Sequence, residues 1–322
     1  MRSPPTLGMS GSSSSDPERR WQAGTVEIPE RLQSLSTAPG GAAWLADLPL
    51  LVAESADAWA LELGEPFLGG YASYVCPARR SDGTGAVLKV QYPHLDCRDE
   101  AAALRDWDGD GAICLLDHHP ARHALLLEQC HPGTPLSEVG QERALDVLIG
   151  LLPRLWVPVD DDAPYIRLAD LARSWLADLP DRWEAAGRAF ERRLVDAACS
   201  LVDDLAGSQD QAVLVNQDLQ GENVLAADRE PWLAIDPKPV AGERAFGLSS
   251  IVRSSEFGHS SVDVHRRLDR TSAELGVDRE RARGWTIAQA VAWSIEGDEV
   301  VRRNLDSARW LLDGPRRATG DR

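Results

Sequence analysis

Short apolar runs separated by turn residues fill much of the first third of the chain, and longer helical stretches fill most of the rest. Runs of four to eight apolar residues between glycine, serine and aspartate predict β-strands, whereas apolar residues spaced three and four apart predict helices. The predicted strands cover residues 58–63, 72–79, 85–92, 111–117 and 123–130. The predicted helices cover residues 28–56, 96–107, 139–155, 167–186, 189–206, 244–256, 261–275 and 278–313.

Two further apolar runs lie inside the helical part, and polar residues follow each of them. Residues 213–215 and 232–235 have the composition of short buried strands. Asp218 and Asn223 come after the first run and Asp236 directly after the second. An unpaired charge at a buried strand end is costly, so we expect positive groups there. The alternative is that Asp218 and Asn223 only cap the turn between the strands.

Composition limits the classes of partner. The chain has 51 acidic and 34 basic residues, a net charge of −17, which argues against a nucleic-acid partner and for solubility or a cationic ligand. The five cysteines include no CxxC pair, and neither a signal peptide nor a membrane-spanning apolar run is present. These features predict a reduced, cytoplasmic protein without a membrane partner, and they leave the oligomeric state open.

Lysine is rare, since the chain has 32 arginines but only Lys89 and Lys238. Lys89 lies in "GAVLKV", an apolar strand where a solvated charge is unexpected. A compact ammonium that fits between phosphate oxygens explains the choice of lysine, and a strand-edge lysine with a solvated head is the alternative. In "FLGGYASY", Gly69 and Gly70 can present backbone N–H groups to phosphate, with Ser73 adding a hydroxyl. An ordinary hairpin turn is the competing interpretation.

Taken in order, the motifs resemble a known family over nearly all of residues 45–310. They are "GAVLKV", "EAAALRDW", "GDGAICLLD", "ALLLEQCHPGTPL" and "NQDLQGENVL…WLAIDP…GERAF". The set resembles the kinase-like antibiotic phosphotransferases, and more narrowly the streptomycin 6-kinase and hydroxyurea phosphotransferase family. The resemblance implies an α+β, bilobal protein-kinase-like fold, with a small antiparallel-sheet N-lobe and a mainly helical C-lobe. It also implies ATP and Mg²⁺ as cofactors and a small-molecule acceptor.

The predicted domain boundaries rest on this resemblance and on the change from predicted strands to mainly predicted helices at "HPGTPL". They are a disordered tail at 1–25, an N-terminal nucleotide-binding lobe at 26–127, a hinge at 128–135, a C-terminal catalytic and substrate lobe at 136–313, and a tail at 314–322.

The resemblance assigns a role to each residue that follows the two short strands. Asp218 becomes the catalytic aspartate that orients the acceptor and takes its proton, and Asn223 and Asp236 become metal ligands. Phosphoryl transfer needs in-line positioning and cations that neutralise the phosphate oxygens, and amide and carboxylate oxygens suit Mg²⁺.

The nucleotide contacts follow from the same resemblance. Lys89 would hold the α- and β-phosphates, and Glu100 would hold Lys89, with a plain helix-surface carboxylate as the alternative for Glu100. The carbonyl of Glu128 and the N–H of Cys130 would pair with adenine.

Some positions depart from the family pattern. The catalytic loop commonly begins His-Gly-Asp, whereas here it reads Asn216-Gln217-Asp218. We expect Asn216 to replace a structural, hydrogen-bonding histidine. Pro237 and Lys238 follow Asp236 in place of Phe-Gly. Lys238 could approach a phosphate, but we expect it to face solvent.

The acceptor site has the least specific signal. Asp160 to Asp162, and Glu296, Asp298 and Glu299 beside Trp293, could bind a cationic, aminoglycoside-like acceptor, or could form a solvated acidic face. Hydroxyurea, an amino alcohol or an amino sugar are alternative acceptors. The alternative outside enzymes is a nucleotide-binding regulator of the pseudokinase type.

Overall fold

The computed structural model describes residues 26–94, 97–297 and 299–314. The chain divides into two compact units, with the boundary between Val90 and Gln91. Residues 1–25 and 315–322, which include the predicted N-terminal tail and the predicted C-terminal tail except Gly314, lie outside the described residues. The lobe boundary predicted at 128–135 stays a prediction.

The elements are numbered in chain order. Among the described residues, the α-helices are α1 Gly41–Ala58, α2 Glu100–Trp107, α3 Gln141–Leu155, α4 Leu168–Ala185, α5 Arg192–Ala206, α6 Ser249–Arg253, α7 Ser261–Leu275, α8 Arg279–Ala292 and α9 Arg302–Asp313. The strands are β1 Glu62–Leu63, β2 Ser73–Arg79, β3 Gly85–Gln91, β4 Leu115–His119, β5 Ala124–Glu128, β6 Val213–Asn216, β7 Val224–Ala226, β8 Trp232–Ala234, β9 Pro239–Gly242, β10 Ile295–Glu296 and β11 Glu299–Val300. No described helix is long and apolar enough to cross a membrane.

The first unit contains α1 and the strand neighbours β1, β2 and β3. Every second residue of β2 is buried, which follows from the period of two in a strand. The helix predicted at 28–56 is two elements, a 3-10 helix at Glu30–Thr37 and then α1. Pro39 lacks a backbone N–H and Gly40 has φ +75°, so this pair ends one helix before the next begins.

The second unit holds the β4–β5 hairpin and the helices from α2 onward. Helix α8 is buried over most of its length and packs against α5 and α9. The single helix predicted at 278–313 is wrong. Helix α8 ends at Ala292, and the β10–β11 hairpin precedes α9, with Gly297 in the left-handed region at φ +57°. This break leaves Trp293 at the end of α8.

Two short antiparallel pairs inside the helical unit confirm the strands predicted near 213–215 and 232–235. Strand β6 pairs with β9, and β7 pairs with β8. The registers match Asn216 with Pro239 and Val224 with Ala234. The segments that follow β6 and β8 carry the candidate catalytic residues.

Candidate active site

Asn216 joins the ends of the paired strands β6 and β9. Its side-chain Oδ1 accepts hydrogen bonds from the backbone N–H groups of Asp218 and Lys238, both at 3.1 Å. The backbone N–H of Gln217 donates to the carbonyl of Lys238, also at 3.1 Å. Asn216 is buried, and it has the structural, hydrogen-bonding place that the sequence predicts for it. The peptide around Asp218 is therefore fixed by side-chain as well as backbone bonds.

Asn223 and Asp236 occupy neighbouring backbone positions. Asn223 Nδ2 donates to the carbonyl of Asp218 at 2.9 Å, so the amide oxygen points away from that carbonyl. The backbone N–H of Ile235 donates to the carbonyl of Asn223 at 2.9 Å, which brings the residue before Asp236 beside Asn223. Asp236 itself has φ +47°, a left-handed conformation that non-glycine residues adopt mainly at constrained sites. An amide and a carboxylate oxygen are thereby placed at adjacent strand ends.

Glu256 supports the 3-10 turn that ends with Asn223. Its carboxylate accepts from the backbone N–H of Gly221 at 2.6 Å and of Glu222 at 3.4 Å. A Cβ on Gly221 would lie 2.8 Å from Glu256 Oε2 and 2.9 Å from the backbone N of Ser137. The pKa of Glu256 is raised, because burial outweighs the stabilising backbone bonds. The turn therefore needs glycine at 221 and an acceptor at 256.

Two cations face the Asp218 carboxylate, as expected for a charge at a buried strand end. Lys238 Nζ lies 2.6 Å from Asp218 Oδ2, and Arg253 Nη2 lies 3.8 Å from Oδ1. The side chains of Asp218 and Arg253 are 11% and 9% exposed and that of Lys238 is 32% exposed. The expectation that Lys238 only faces solvent is therefore wrong, since its ammonium pairs with Asp218 while about a third of the side chain stays exposed.

The same two cations lie against Trp293. The Arg253 Cζ is 4.7 Å and the Lys238 Nζ 5.7 Å from the centroid of its ring. Arg253 Nε also donates to Gln289 Oε1 at 3.0 Å, and Gln289 Nε2 donates to the carbonyl of Gln217 at 3.2 Å. The indole thus contacts cations of this chain, and its predicted contact with an acceptor stays a prediction.

The other predicted acceptor residues are spread over the second unit. Asp160 is exposed on the loop between α3 and α4, where its carbonyl accepts from Arg167 Nη2 at 2.7 Å. Glu296 belongs to β10, and Asp298 lies outside the described residues. Their role toward an acceptor also stays a prediction.

Arg267, on α7, anchors the segment that carries Arg253 and Glu256. Its side chain is fully buried and makes five hydrogen bonds of 2.6–3.2 Å to backbone carbonyls of residues 252–258. Burial lowers the pKa of this guanidinium to about 10. The guanidinium of Arg267 therefore fixes the backbone of residues 252–258, the segment that carries Arg253 and Glu256.

In the first unit, Lys89 is 5% exposed and lies in β3. The glycine turn at residues 67–71 precedes β2, and Ser73 is the first residue of that strand. A Cβ on Gly70 would lie 2.5 Å from the carbonyl oxygen of Ser73, whereas a Cβ on Gly69 would meet nothing within 4 Å. Phosphate binding by Lys89, Gly69, Gly70 and Ser73 stays a prediction.

Glu100, the first residue of α2, is buried and accepts from Gln91 Nε2 at 2.6 Å. This burial makes a plain helix-surface carboxylate the poorer interpretation. Its pairing with Lys89 stays a prediction.

Glu128, at the end of β5 in the second unit, has its side chain bound within that unit. Its two carboxylate oxygens accept from Arg229 at 2.8 and 2.9 Å, and Arg229 also donates to the carbonyls of Gly109 and Ala112. Burial opposes ionisation of Glu128, but the bonds from Arg229 and the backbone N–H of Cys114 leave its pKa lowered. These bonds fix the Glu128 carboxylate, and the pairing of its backbone carbonyl with adenine stays a prediction.

The Cys130 thiol has a pKa raised to about 11 by burial. It is therefore a neutral thiol at physiological pH. The N–H that we predict to contact adenine belongs to the backbone of the same residue.

Sequence reasoning missed Arg253, Glu256, Arg267 and Gln289. Each stands in or beside a predicted helix of a chain rich in charged residues, and no spacing or motif distinguishes it from its polar neighbours. The rarity of lysine was a usable signal for Lys238, because arginine serves at nearly every other basic position.

Comparison with known proteins shows which family the sequence matches. A family model described as aminoglycoside/hydroxyurea antibiotic resistance kinase matches residues 58–300. The streptomycin 6-kinase of Streptomyces glaucescens is 40% identical over 302 residues, covering 89% of this chain and 96% of that protein. The hydroxyurea phosphotransferase of Kitasatospora aureofaciens is 40% identical over 302 residues, covering 89% and 86%.

The fold itself also has solved counterparts. The crystal structure of the choline kinase LicA from Streptococcus pneumoniae aligns with a TM-score of 0.61 at 17% identity, covering 83% of this chain and 99% of that one. An identity this low bears on the fold alone. The predicted α+β, kinase-like fold is confirmed.

Proposed function

This chain belongs to the aminoglycoside/hydroxyurea antibiotic resistance kinase family, and on that premise we propose that it transfers a phosphoryl group from ATP to a hydroxyl group of a cationic, streptomycin-like aminoglycoside. The observation that carries the proposal is the fixed position of Asp218 at the end of β6. Asn216 holds its backbone N–H and Asn223 its carbonyl, which suits a carboxylate that must meet one hydroxyl in one orientation.

Asp218 is the general base in this proposal. It accepts a hydrogen bond from the acceptor hydroxyl and takes the proton as the oxygen attacks phosphorus. A general base must lie within about 2.6–3.2 Å of the proton donor, so the carboxylate also sets where the reactive hydroxyl is held. Most of the remaining catalysis is positioning and charge neutralisation.

Asn223 and Asp236 are the residues that would hold Mg²⁺. Their amide and carboxylate oxygens are the donor type that this ion prefers, and it commonly retains waters and phosphate oxygens as further ligands. When bound, Mg²⁺ neutralises negative charge on the phosphate oxygens. Lys89 and the backbone of the glycine turn would bind the phosphates of ATP.

Hydroxyurea is the second candidate acceptor. The identity to the hydroxyurea phosphotransferase is the same 40% as to the streptomycin 6-kinase, but the match covers 86% of the former and 96% of the latter. The net charge of −17 favours the cationic aminoglycoside over the uncharged hydroxyurea.

A coupled assay of ADP formation tests the proposal. The purified chain with ATP and Mg²⁺ is given streptomycin, a second aminoglycoside, hydroxyurea or an amino alcohol, and mass spectrometry identifies any phosphorylated product. Phosphorylated streptomycin supports the proposal, and turnover of hydroxyurea alone supports the second candidate. Binding of ATP and Mg²⁺ without transfer to any acceptor would overturn both and favour the regulator.

A further inference from the structure

Asp218 and the two cations that face it, Lys238 and Arg253, differ in their surroundings. Arg253 is almost fully buried, lies over the ring of Trp293 and donates to Gln289, so its guanidinium is held from several directions. The Lys238 side chain is about a third exposed, and its ammonium contacts Asp218 at 2.6 Å. Of the two cations, Lys238 is the one that an anionic group arriving from solvent can reach.

The distance from Lys238 to Asp218 also limits where a substrate can lie. If Asp218 is the general base, the acceptor oxygen lies within about 2.6–3.2 Å of its carboxylate. The phosphorus atom is bonded to that oxygen at the end of transfer. An ammonium 2.6 Å from the same carboxylate is therefore within reach of the oxygens of the transferring group.

We propose that Lys238 is a catalytic residue of this phosphoryl transfer, resting on the proposed function above. Its ammonium orients the Asp218 carboxylate and donates hydrogen bonds to the non-bridging oxygens of the phosphoryl group. Arg253, seated on Trp293, is a positioning residue that keeps the other carboxylate oxygen in place.

The transfer step balances without any proton from Lys238. The acceptor oxygen forms a bond to the γ-phosphorus, the bond between that phosphorus and the bridging oxygen of ADP breaks, and the hydroxyl proton goes to Asp218. Lys238 keeps its three protons throughout and acts only through charge and hydrogen bonds. Preorganised donors of this kind are worth about 10²–10³-fold in kcat.

The choice of lysine at this position supports the assignment. Arginine occurs 32 times in the chain and lysine at only two positions. An ammonium directs three donors tetrahedrally and can contact a carboxylate and a phosphoryl oxygen at once, whereas the guanidinium fork is planar and longer. A site that needed only a counter-charge for Asp218 would accept arginine.

The variants Lys238→Met and Lys238→Ala test the proposal, with Arg173→Ala as the matched control. Methionine retains much of the stem without the charge. Arg173 is an exposed residue of α4, so its variant loses one positive charge outside the site. We expect Lys238→Met to lower kcat by about 10²-fold or more, with little change in the acceptor KM or the melting temperature. We expect a small primary amine to restore part of the activity of Lys238→Ala.

Because the loss of a donor should lower kcat roughly 10²-fold, a Lys238→Met variant with turnover within about threefold of wild type would overturn the proposal. Absence of amine rescue in a folded Lys238→Ala variant would do the same. Absence of any transfer by the wild-type chain would instead overturn the proposed function.

Amine-selective labelling read by mass spectrometry adds a measurement that needs no turnover, because the chain has only two lysines. If the carboxylate of Asp218 holds the ammonium, Asp218→Asn should increase the labelling of Lys238 relative to that of Lys89. An unchanged ratio would overturn the ion pair on which the inference rests.

Discussion

We propose that the loop with Asp218 contacts the acceptor and that the turn with Gly69 and Gly70 contacts the phosphates of ATP. The backbone conformations of these two segments are determined in different ways. In the loop, buried side chains hold the backbone, as Asn216 does through two N–H groups. In the turn, the side chains of Phe67, Leu68 and Tyr71 are exposed, and the steric demand for glycine is the close approach of the Ser73 carbonyl oxygen to Gly70.

This difference predicts which substitutions matter. Where side-chain hydrogen bonds fix the backbone, the identity of the residue decides the geometry, and replacement leaves buried groups unsatisfied. Where glycine permits the geometry, only the room available for a Cβ decides the outcome. We therefore expect large, residue-specific losses around Asp218 and small losses in the turn.

The largest effect is expected from Asp218→Asn. Loss of the general base should lower kcat by about 10²–10⁴-fold, and the amide should leave nucleotide affinity near that of the wild type. Steady-state kinetics and nucleotide titration on the same preparation measure both quantities. A variant that keeps a large share of wild-type turnover would remove Asp218 from the mechanism.

Lys89→Arg tests whether this position of the first unit requires lysine itself or only a positive charge. Charge is retained, but the longer planar group cannot take the place of a compact ammonium, and a misplacement of about 1 Å can cost about 10²-fold. We expect a loss of that size in turnover with the fold intact. Near-normal activity would make Lys89 an ordinary buried strand cation.

Asn216→Ala is expected to act on stability as well as on rate. Removal of Oδ1 leaves the buried N–H groups of Asp218 and Lys238 without their acceptor, at a cost of about 1–3 kcal/mol in the free energy of unfolding. Denaturant unfolding measures this cost. An unfolding midpoint equal to that of the wild type would contradict the structural role of Asn216.

Gly70→Ala and Gly69→Ala form a matched pair with the smallest expected effects. Only the Cβ at 70 would collide, at 2.5 Å from a carbonyl oxygen. The KM for ATP should rise in Gly70→Ala roughly 3- to 10-fold, less than the about 10²-fold of a misplaced reacting group, because the turn would bind phosphate only through its backbone. Gly69→Ala should resemble the wild type. Equal effects in the two variants would show that steric room at 70 is not what shapes the turn.

The sequence predicted the parts of the site that lie in a motif or at the end of an apolar run. The apolar runs at 213–215 and 232–235 drew attention to Asp218, Asn223 and Asp236, and the resemblance of the ordered motifs supplied both their predicted roles and the fold class. Arg253 and Glu256 were not, since their importance comes from hydrogen bonds between residues more than thirty positions apart. The extra hairpin between α8 and α9 was missed because the flanking residues continue a helical pattern.

Arg267 also makes the site depend on the docking of α7. Several carbonyls of residues 252–258 have this guanidinium as a donor, and it arrives only when α7 docks. Until then those carbonyls favour water, and the segment with Arg253 and Glu256 lacks the bonds that shape it. Asp218 and the turn of Asn223 therefore have their neighbours in place only where α7 is docked, so that a chain with α7 detached would contain every candidate catalytic residue and still lack the arrangement of the site.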